Sequence, residues 1–135
     1  MKGVFADTFY FLALLNERDA AHQPAVAVSR SAGMTLVTTE FVLLELADAL
    51  CQPQQRGEVL ALCHVVETDP AFRLVRASSE LIQRGRNLYR ERADKAWPLT
   101  DCISFVVMQE HGLTEALTGD RHFEQAGVKA LLAET

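Results

Sequence analysis

The sequence predicts an α/β fold: short, mostly parallel strands in one sheet, covered on both faces by helices. Three observations predict it. Short apolar runs, several with β-branched residues, alternate along the chain with stretches of helical spacing. Turn and stop residues (Gly33, Pro53, Asp69-Pro70, Gly112 and Gly127) fall between them. At 135 residues, 49% apolar and 23% charged, the chain suits one compact domain, residues 1–135, with room for a real core.

In order, Gly3-Val4-Phe5-Ala6 reads as a buried strand that stops at Asp7, followed by a helix over 8–16. A second helix starts at Asp19, tolerates Pro24 in its first turns and ends at Gly33. Residues 34–38, with Thr35, Val37 and Thr38, suit a second strand. Helices over 40–51 and 54–67 follow, split at Pro53, and 72–75 is a third strand. Ser78 or Ser79 caps the next helix, with Leu81, Ile82, Leu88 and Tyr89 at helical spacing and Arg84, Arg86 and Arg90 turned away from the core. Trp97-Pro98 closes the loop after it. Thr100 caps a helix to about residue 111, which Gly112 ends. Residues 116–118 form a fourth strand, Asp120 opens a short helix through 125, and 128–132 supplies a last strand, making roughly five.

Composition narrows the function classes. No stretch approaches the roughly 20 apolar residues that cross a bilayer. The apolar run 9–15 lacks a small-residue cleavage site, so no signal peptide is expected. Cys51, Cys63 and Cys102 are odd in number and widely spaced; they suggest small core residues in a reducing cytoplasm rather than a disulfide framework. There is no GxGxxG or Walker A sequence, and His22, His64, His111 and His122 make no HxxxH or HExxH pair. They read as surface or capping residues, with His122 set apart by standing two residues beyond Asp120.

The net charge of −5 argues at first against a nucleic-acid partner, but its distribution reverses that. Between Arg73 and Lys95 seven cations face three acids, a local +4, which leaves −9 on the remainder. One basic stretch on an acidic protein can steer a polyanion to one place, although it equally describes a solvated helix face.

Ligands of parallel sheets bind outside the carboxyl ends of the strands, near a topological switch point. Asp7 and Asp120 both lie just past predicted strand ends. Each acid also has an ordinary use: Asp7 and Asp120 as helix N-caps, Asp101 as a charge on the positive end of a helix. Glu45 is harder to explain that way, since its neighbours in Leu43-Leu44-Glu45-Leu46-Ala47 are apolar and an unpaired carboxylate among them is costly. Should the four converge, like charges about 5 Å apart repel by roughly 3 kcal/mol per pair at an effective dielectric near 20. Protons or a cation must then compensate, and an all-carboxylate set suits a hard ion such as Mg²⁺ or Mn²⁺. Such ions serve phosphodiester hydrolysis without a Ser, Cys or His nucleophile.

Four segments carry a resemblance: Val4-Phe5-Ala6-Asp7-Thr8, Thr39-Glu40-Phe41-Val42-Leu43-Leu44-Glu45-Leu46, Leu99-Thr100-Asp101-Cys102-Ile103-Ser104-Phe105, and Ala116-Leu117-Thr118-Gly119-Asp120-Arg121-His122-Phe123. In this order they resemble PIN-domain ribonucleases, specifically the VapC-type toxins of bacterial toxin–antitoxin pairs. The resemblance implies a three-layer α/β/α sandwich, Mg²⁺- or Mn²⁺-dependent endoribonuclease activity as the toxin of a type II system, a homodimer, and an antitoxin whose tail blocks the site. Carried over by motif, Asp7, Glu45, Asp101 and Asp120 match the family's acidic quartet, and Thr8 and Thr118 its supporting hydroxyls. Glu40 competes for the glutamate role, but Glu45 lies within the matching apolar run. Cys102 stands where a small residue is common.

Arg84, Arg86, Arg90, Lys95 and Arg121 are the candidates for RNA contacts, and Trp97 is either a stacking platform or a core anchor. Two other functions compete. A phosphoacceptor domain needs an acid pair at the first strand and a central aspartate, and the sequence offers only Asp7 there. A non-catalytic RNA- or partner-binding module would keep the fold without turnover.

Overall fold

The structure is a computed structural model that describes residues 2–134. Five parallel strands form one sheet in the order β3-β2-β1-β4-β5: β1 (Lys2–Ala6), β2 (Met34–Thr39), β3 (Phe72–Val75), β4 (Glu115–Leu117) and β5 (Lys129–Ala130). Parallel neighbours cannot be joined by a tight turn, so helices supply the crossovers. α1 (Thr8–Leu15) and α2 (His22–Ser29) link β1 to β2, and α3 (Glu40–Ala49) and α4 (Arg56–Thr68) link β2 to β3. α5 (Ser79–Glu91) and α6 (Leu99–Glu110) then carry the chain back across the sheet to β4, and α7 (Arg121–Gln125) precedes β5.

That return crossing creates the switch point. From β1 the chain builds outward through β2 to β3, then restarts on the other flank of β1 with β4. The helices leaving β1 and β4 diverge, opening a crevice between the carboxyl ends of these strands.

The centre of the sheet is dry. Val4, Phe5, Ala6, Ala116 and Leu117 are fully buried, as a central strand covered on both faces requires. Thr38 sits among them with its hydroxyl donating to the Ala6 carbonyl at 2.8 Å, so the last peptide of β1 is tied to β2 where the site begins. An aromatic chain runs through the far side: Phe5 on Phe123 at 6.2 Å, Phe123 edge-on to Phe105 at 4.9 Å, and Phe105 edge-on to Trp97 at 5.0 Å. Buried Phe123 thereby fixes the short α7, which could not hold itself together alone.

Several sequence expectations shift here. The second helix begins at His22, because Asp19 accepts the Ala21 N–H in a turn and is not the helix start. Ser78, not Ser79, caps α5. Thr100 does not cap α6; Pro98 takes that place, with its missing N–H suited to a helix entrance. Tyr89 is 55% exposed, unlike Leu81 and Leu88, because it stands at the edge of the α5 stripe. β4 starts one residue early at Glu115, and the last strand shrinks to Lys129–Ala130. Among the cysteines only Cys102 is buried; Cys51 is exposed. Among the described residues no helix is long and apolar enough to cross a membrane.

Candidate active site

The site grows from the ends of β1 and β4. Asp7 follows β1 directly and occupies the N-cap position of α1, yet its side chain makes no cap bond. It turns instead to the crevice, where the Thr118 hydroxyl donates to its Oδ2 at 2.9 Å. The capping explanation for Asp7 therefore fails. Thr118 is fully buried and also accepts the Asp120 N–H at 3.1 Å, so one hydroxyl sets the position of both acids.

Gly119 makes this turn possible. A Cβ there would lie 2.5 Å from the Phe9 ring and 3.1 Å from the Leu132 carbonyl, so any larger residue would push the β4–α7 turn away from α1. Asp120 then caps α7, accepting the His122 N–H at 2.9 Å. Its ordinary role and its place in the site coexist.

Asp101 enters from the first turn of α6, 6% exposed. Its Oδ2 lies 3.0 Å from His122 Nδ1, which also stands 3.4 Å from Asp120 Oδ1. Oxygen and nitrogen atoms of Asp101, Asp120 and His122 fall within 4.8 Å of one another, the one such metal-capable group among the described residues. His122 is the residue that sequence spacing undervalued. It forms no metal motif along the chain, and only its offset of two from Asp120 pointed to it.

Glu45 comes from α3 and is half-buried, with the Thr8 hydroxyl donating to its Oε1 at 2.5 Å. The apolar setting expected around it is only partly real, since Leu44 is 60% exposed and Ala47 faces solvent. Glu40 is engaged elsewhere, accepting the Ala77 N–H at 2.7 Å and pairing with Arg76 at 3.3 Å. Asp7 and Glu45 are drawn toward their threonines and stand outside the tight group, but they share its electrostatics.

Burial pushes the Asp7 carboxyl up to about 7, opposed by the Thr118 hydrogen bond and reinforced by the charges of Asp101 and Glu45. Burial also raises Asp101 to about 6, opposed by His122 and reinforced by Asp120 and Glu45. Asp101 thus interacts electrostatically with Asp7, Glu45 and Asp120, and no lysine or arginine pairs with any of the four among the described residues. The donor set of carboxylates, backed by hydroxyls and one imidazole, fits a hard divalent cation.

The basic candidates separate into two kinds. Arg84 is neutralised by Glu80 at 2.6 Å and by Glu110 at 2.9 Å, so it is not free to contact a polyanion as expected. Arg86, Arg90, Lys95 and Arg121 carry no ion pair among the described residues, and all but half-buried Lys95 are exposed. Trp97 is a core anchor: 5% exposed, its Nε1 donates to Gln125 at 2.9 Å. Its indole is not available to stack on a base.

Comparison with known proteins completes the picture. The family model described as "PIN domain" matches residues 4–129. Among solved structures, VapC20 of Mycobacterium tuberculosis, described as a sarcin–ricin loop cleaving toxin, superposes with a TM-score of 0.82 at 23% identity, covering 93% of this chain and 95% of that one. VapBC2 of Rickettsia felis, bound to a promoter DNA fragment, gives 0.67 at 10% identity, covering 95% and 96%. FitAcB of Neisseria gonorrhoeae gives 0.62 at 17%, covering 94% and 95%. No curated protein matches the chain by sequence. The structural matches share the fold, the family model covers nearly the whole chain, and both agree with the four sequence segments: the chain belongs to the PIN domain family.

Proposed function

We propose that this protein is a divalent-metal-dependent endoribonuclease, the toxin of a type II toxin–antitoxin pair, with Mg²⁺ as its ion and Mn²⁺ as a substitute. One observation supports the reading: Asp101, Asp120 and His122 bring ligand atoms within 4.8 Å of one another, Asp7 and Glu45 interact electrostatically with Asp101, and none of the four acids pairs with a lysine or arginine among the described residues. Asp7, Glu45, Asp101 and Asp120 would hold the ion. A cation held there would supply Lewis-acid chemistry for phosphodiester hydrolysis and offset the charge of these carboxylates.

The chain's own groups prepare that site. Thr118 orients Asp7 and fixes the Asp120 backbone, and Thr8 orients Glu45. His122 holds Asp101 from the side of α7. The surrounding core, with Ala6, Thr38 and Leu117 fully buried, excludes water behind Asp7 and keeps the local dielectric low.

The toxin role and a cognate antitoxin are supported by likeness to VapC20 and to the VapBC and FitAcB structures, whereas a homodimer and a cytoplasmic location rest on the family resemblance of the sequence motifs. Purified protein, freed of any co-purifying partner, is incubated with total cellular RNA in Mg²⁺, beside EDTA and Asp7→Asn controls. Discrete fragments lost in both controls uphold the proposal, and their ends identify the target. Fragments persisting in Asp7→Asn overturn the assignment. Loss of both metal binding and cleavage in the wild type points to a non-catalytic binding module.

A further inference from the structure

An open groove of about 950 Å³ lies between the C-terminal half of α5 and the loop leading into α6. Arg86, Tyr89, Arg90, Lys95, Trp97 and Pro98 line it, and no carboxylate does. On a chain of net charge −5, three cations around one acid-free groove are a marked local excess. Elsewhere in this region Arg76 pairs with Glu40, Arg84 with Glu80 and Glu110, and Arg92 with Asp94, while Arg73 stands apart on β3.

The groove is built on rigid elements. Gly85 lets α5 press onto α6, since a Cβ there would meet Ile103 Cγ1 at 2.4 Å, and this close approach sets where Arg86 and Tyr89 stand. Trp97 forms the floor. Its ring is occupied, with Phe105 edge-on at 5.0 Å and the Arg92 guanidinium 5.1 Å from its centroid. Tyr89, 55% exposed, is the aromatic left free at the rim. The groove reaches the amino end of α6, the helix that carries Asp101 in its first turn: Pro98 and Leu99 line it.

Resting on the ribonuclease reading, we propose that this groove binds the single-stranded RNA chain adjoining the scissile phosphate, with Arg86, Arg90 and Lys95 on its phosphates and Tyr89 stacked on a base. Cations tracking a backbone beside an exposed aromatic face are what sequence-tolerant single-strand binding requires. A folded duplex presents no free base face to Tyr89, so the groove selects loops and unpaired segments.

The test is fluorescence anisotropy with a labelled mixed-sequence oligoribonucleotide and the full chain in EDTA, so that binding is read without cleavage. The wild type is expected to bind. Arg86→Ala/Arg90→Ala should lose at least about tenfold in affinity and reduce the salt slope by roughly 1.4, the loss of two single-strand phosphate contacts. Tyr89→Ala should weaken binding about tenfold, and Tyr89→Phe should restore it. All three side chains are on the surface, so folding is not at issue. No wild-type binding, or equal affinity and slope in the double variant, overturns the proposal. So does an acidic poly-glutamate peptide that binds more tightly than the RNA with the same dependence on Arg86 and Arg90, which would assign the groove to a protein partner. A cleavage assay in Mg²⁺ separates the two readings. RNA bound through the groove but left intact upholds the groove and rejects the nuclease; RNA cut with KM unchanged in the double variant rejects the groove alone.

Discussion

The two edges of the sheet treat their acids in opposite ways. At the amino edge, Glu115 begins β4 between Lys2 at the start of β1 and Lys129 at the start of β5, and both ammonium groups pair with it. These partners hold its carboxyl below the usual range. At the carboxyl edge, Asp7 and Asp101 are buried, surrounded by other acids and without a lysine or arginine, and their carboxyls are pushed up. A chain able to place cations beside Glu115 leaves them out around Asp7. The amino edge is a finished ion-pair network, whereas the carboxyl edge leaves its negative charge to be offset by protons or by an added cation.

The largest effect that would break this contrast comes from Asp7→Asn or Asp101→Asn. Either should lower RNA cleavage by at least about 10³-fold, because charge stabilisation in the reacting geometry is lost. The same change should raise the melting temperature of the metal-free protein at pH 8, since a buried charge with no lysine or arginine partner is removed. Cleavage assays and thermal unfolding in EDTA check the two halves together. A merely structural aspartate would lose stability instead.

Next in size is the pH dependence of the metal-free protein. A folded-state pKa raised above its unfolded value means that folding favours the protonated acid. The contribution of Asp7 is therefore fully present below about 3.8 and is lost as pH rises through about 7; Asp101 follows the same sign up to about 6. Denaturation in EDTA should show stability falling from pH 5 to pH 8. Mg²⁺ should reverse the slope, because its ligands must be deprotonated and its affinity grows over that window.

Thr118→Val should weaken metal binding about 10- to 100-fold, as it frees the Asp7 carboxylate and leaves the Asp120 N–H unpaired. His122→Gln should cost about tenfold or less by releasing Asp101, measured as the Mg²⁺ concentration for half-maximal cleavage. Glu115→Gln at the opposite edge should leave cleavage unchanged and shift the melting temperature only slightly. A cleavage loss there would collapse the contrast between the edges.

Much of this was legible in the sequence, for identifiable reasons. The strand at Val4-Phe5-Ala6 stands out because a buried parallel strand is a short apolar run with sharp limits, whereas the half-buried edge strand 72–75, with Arg73 exposed, is marked by the Asp69-Pro70 turn before it. Asp7 and Asp120 were found from their positions after such runs. His122 was not placed in the site, because its partner Asp101 is 21 residues away and only the packing of α7 on α6 joins them. Arg84 differs from Arg86 in having Glu80 one turn before it, a pair the sequence offers, while its second partner Glu110 is set only by tertiary packing. Trp97 was ambiguous for the same reason, since Gln125, which fixes its indole, belongs to a distant helix.

The central claim is that the carboxyl edge holds a divalent cation that its acids lack. Calorimetric titration with Mg²⁺ at pH 6.5, in two buffers of different ionisation enthalpy, tests it most directly. Binding with net proton release is expected, lost in Asp7→Asn and Asp101→Asn and retained in Glu115→Gln. Absence of binding to the wild type, or binding that both aspartate variants leave unchanged, would contradict it.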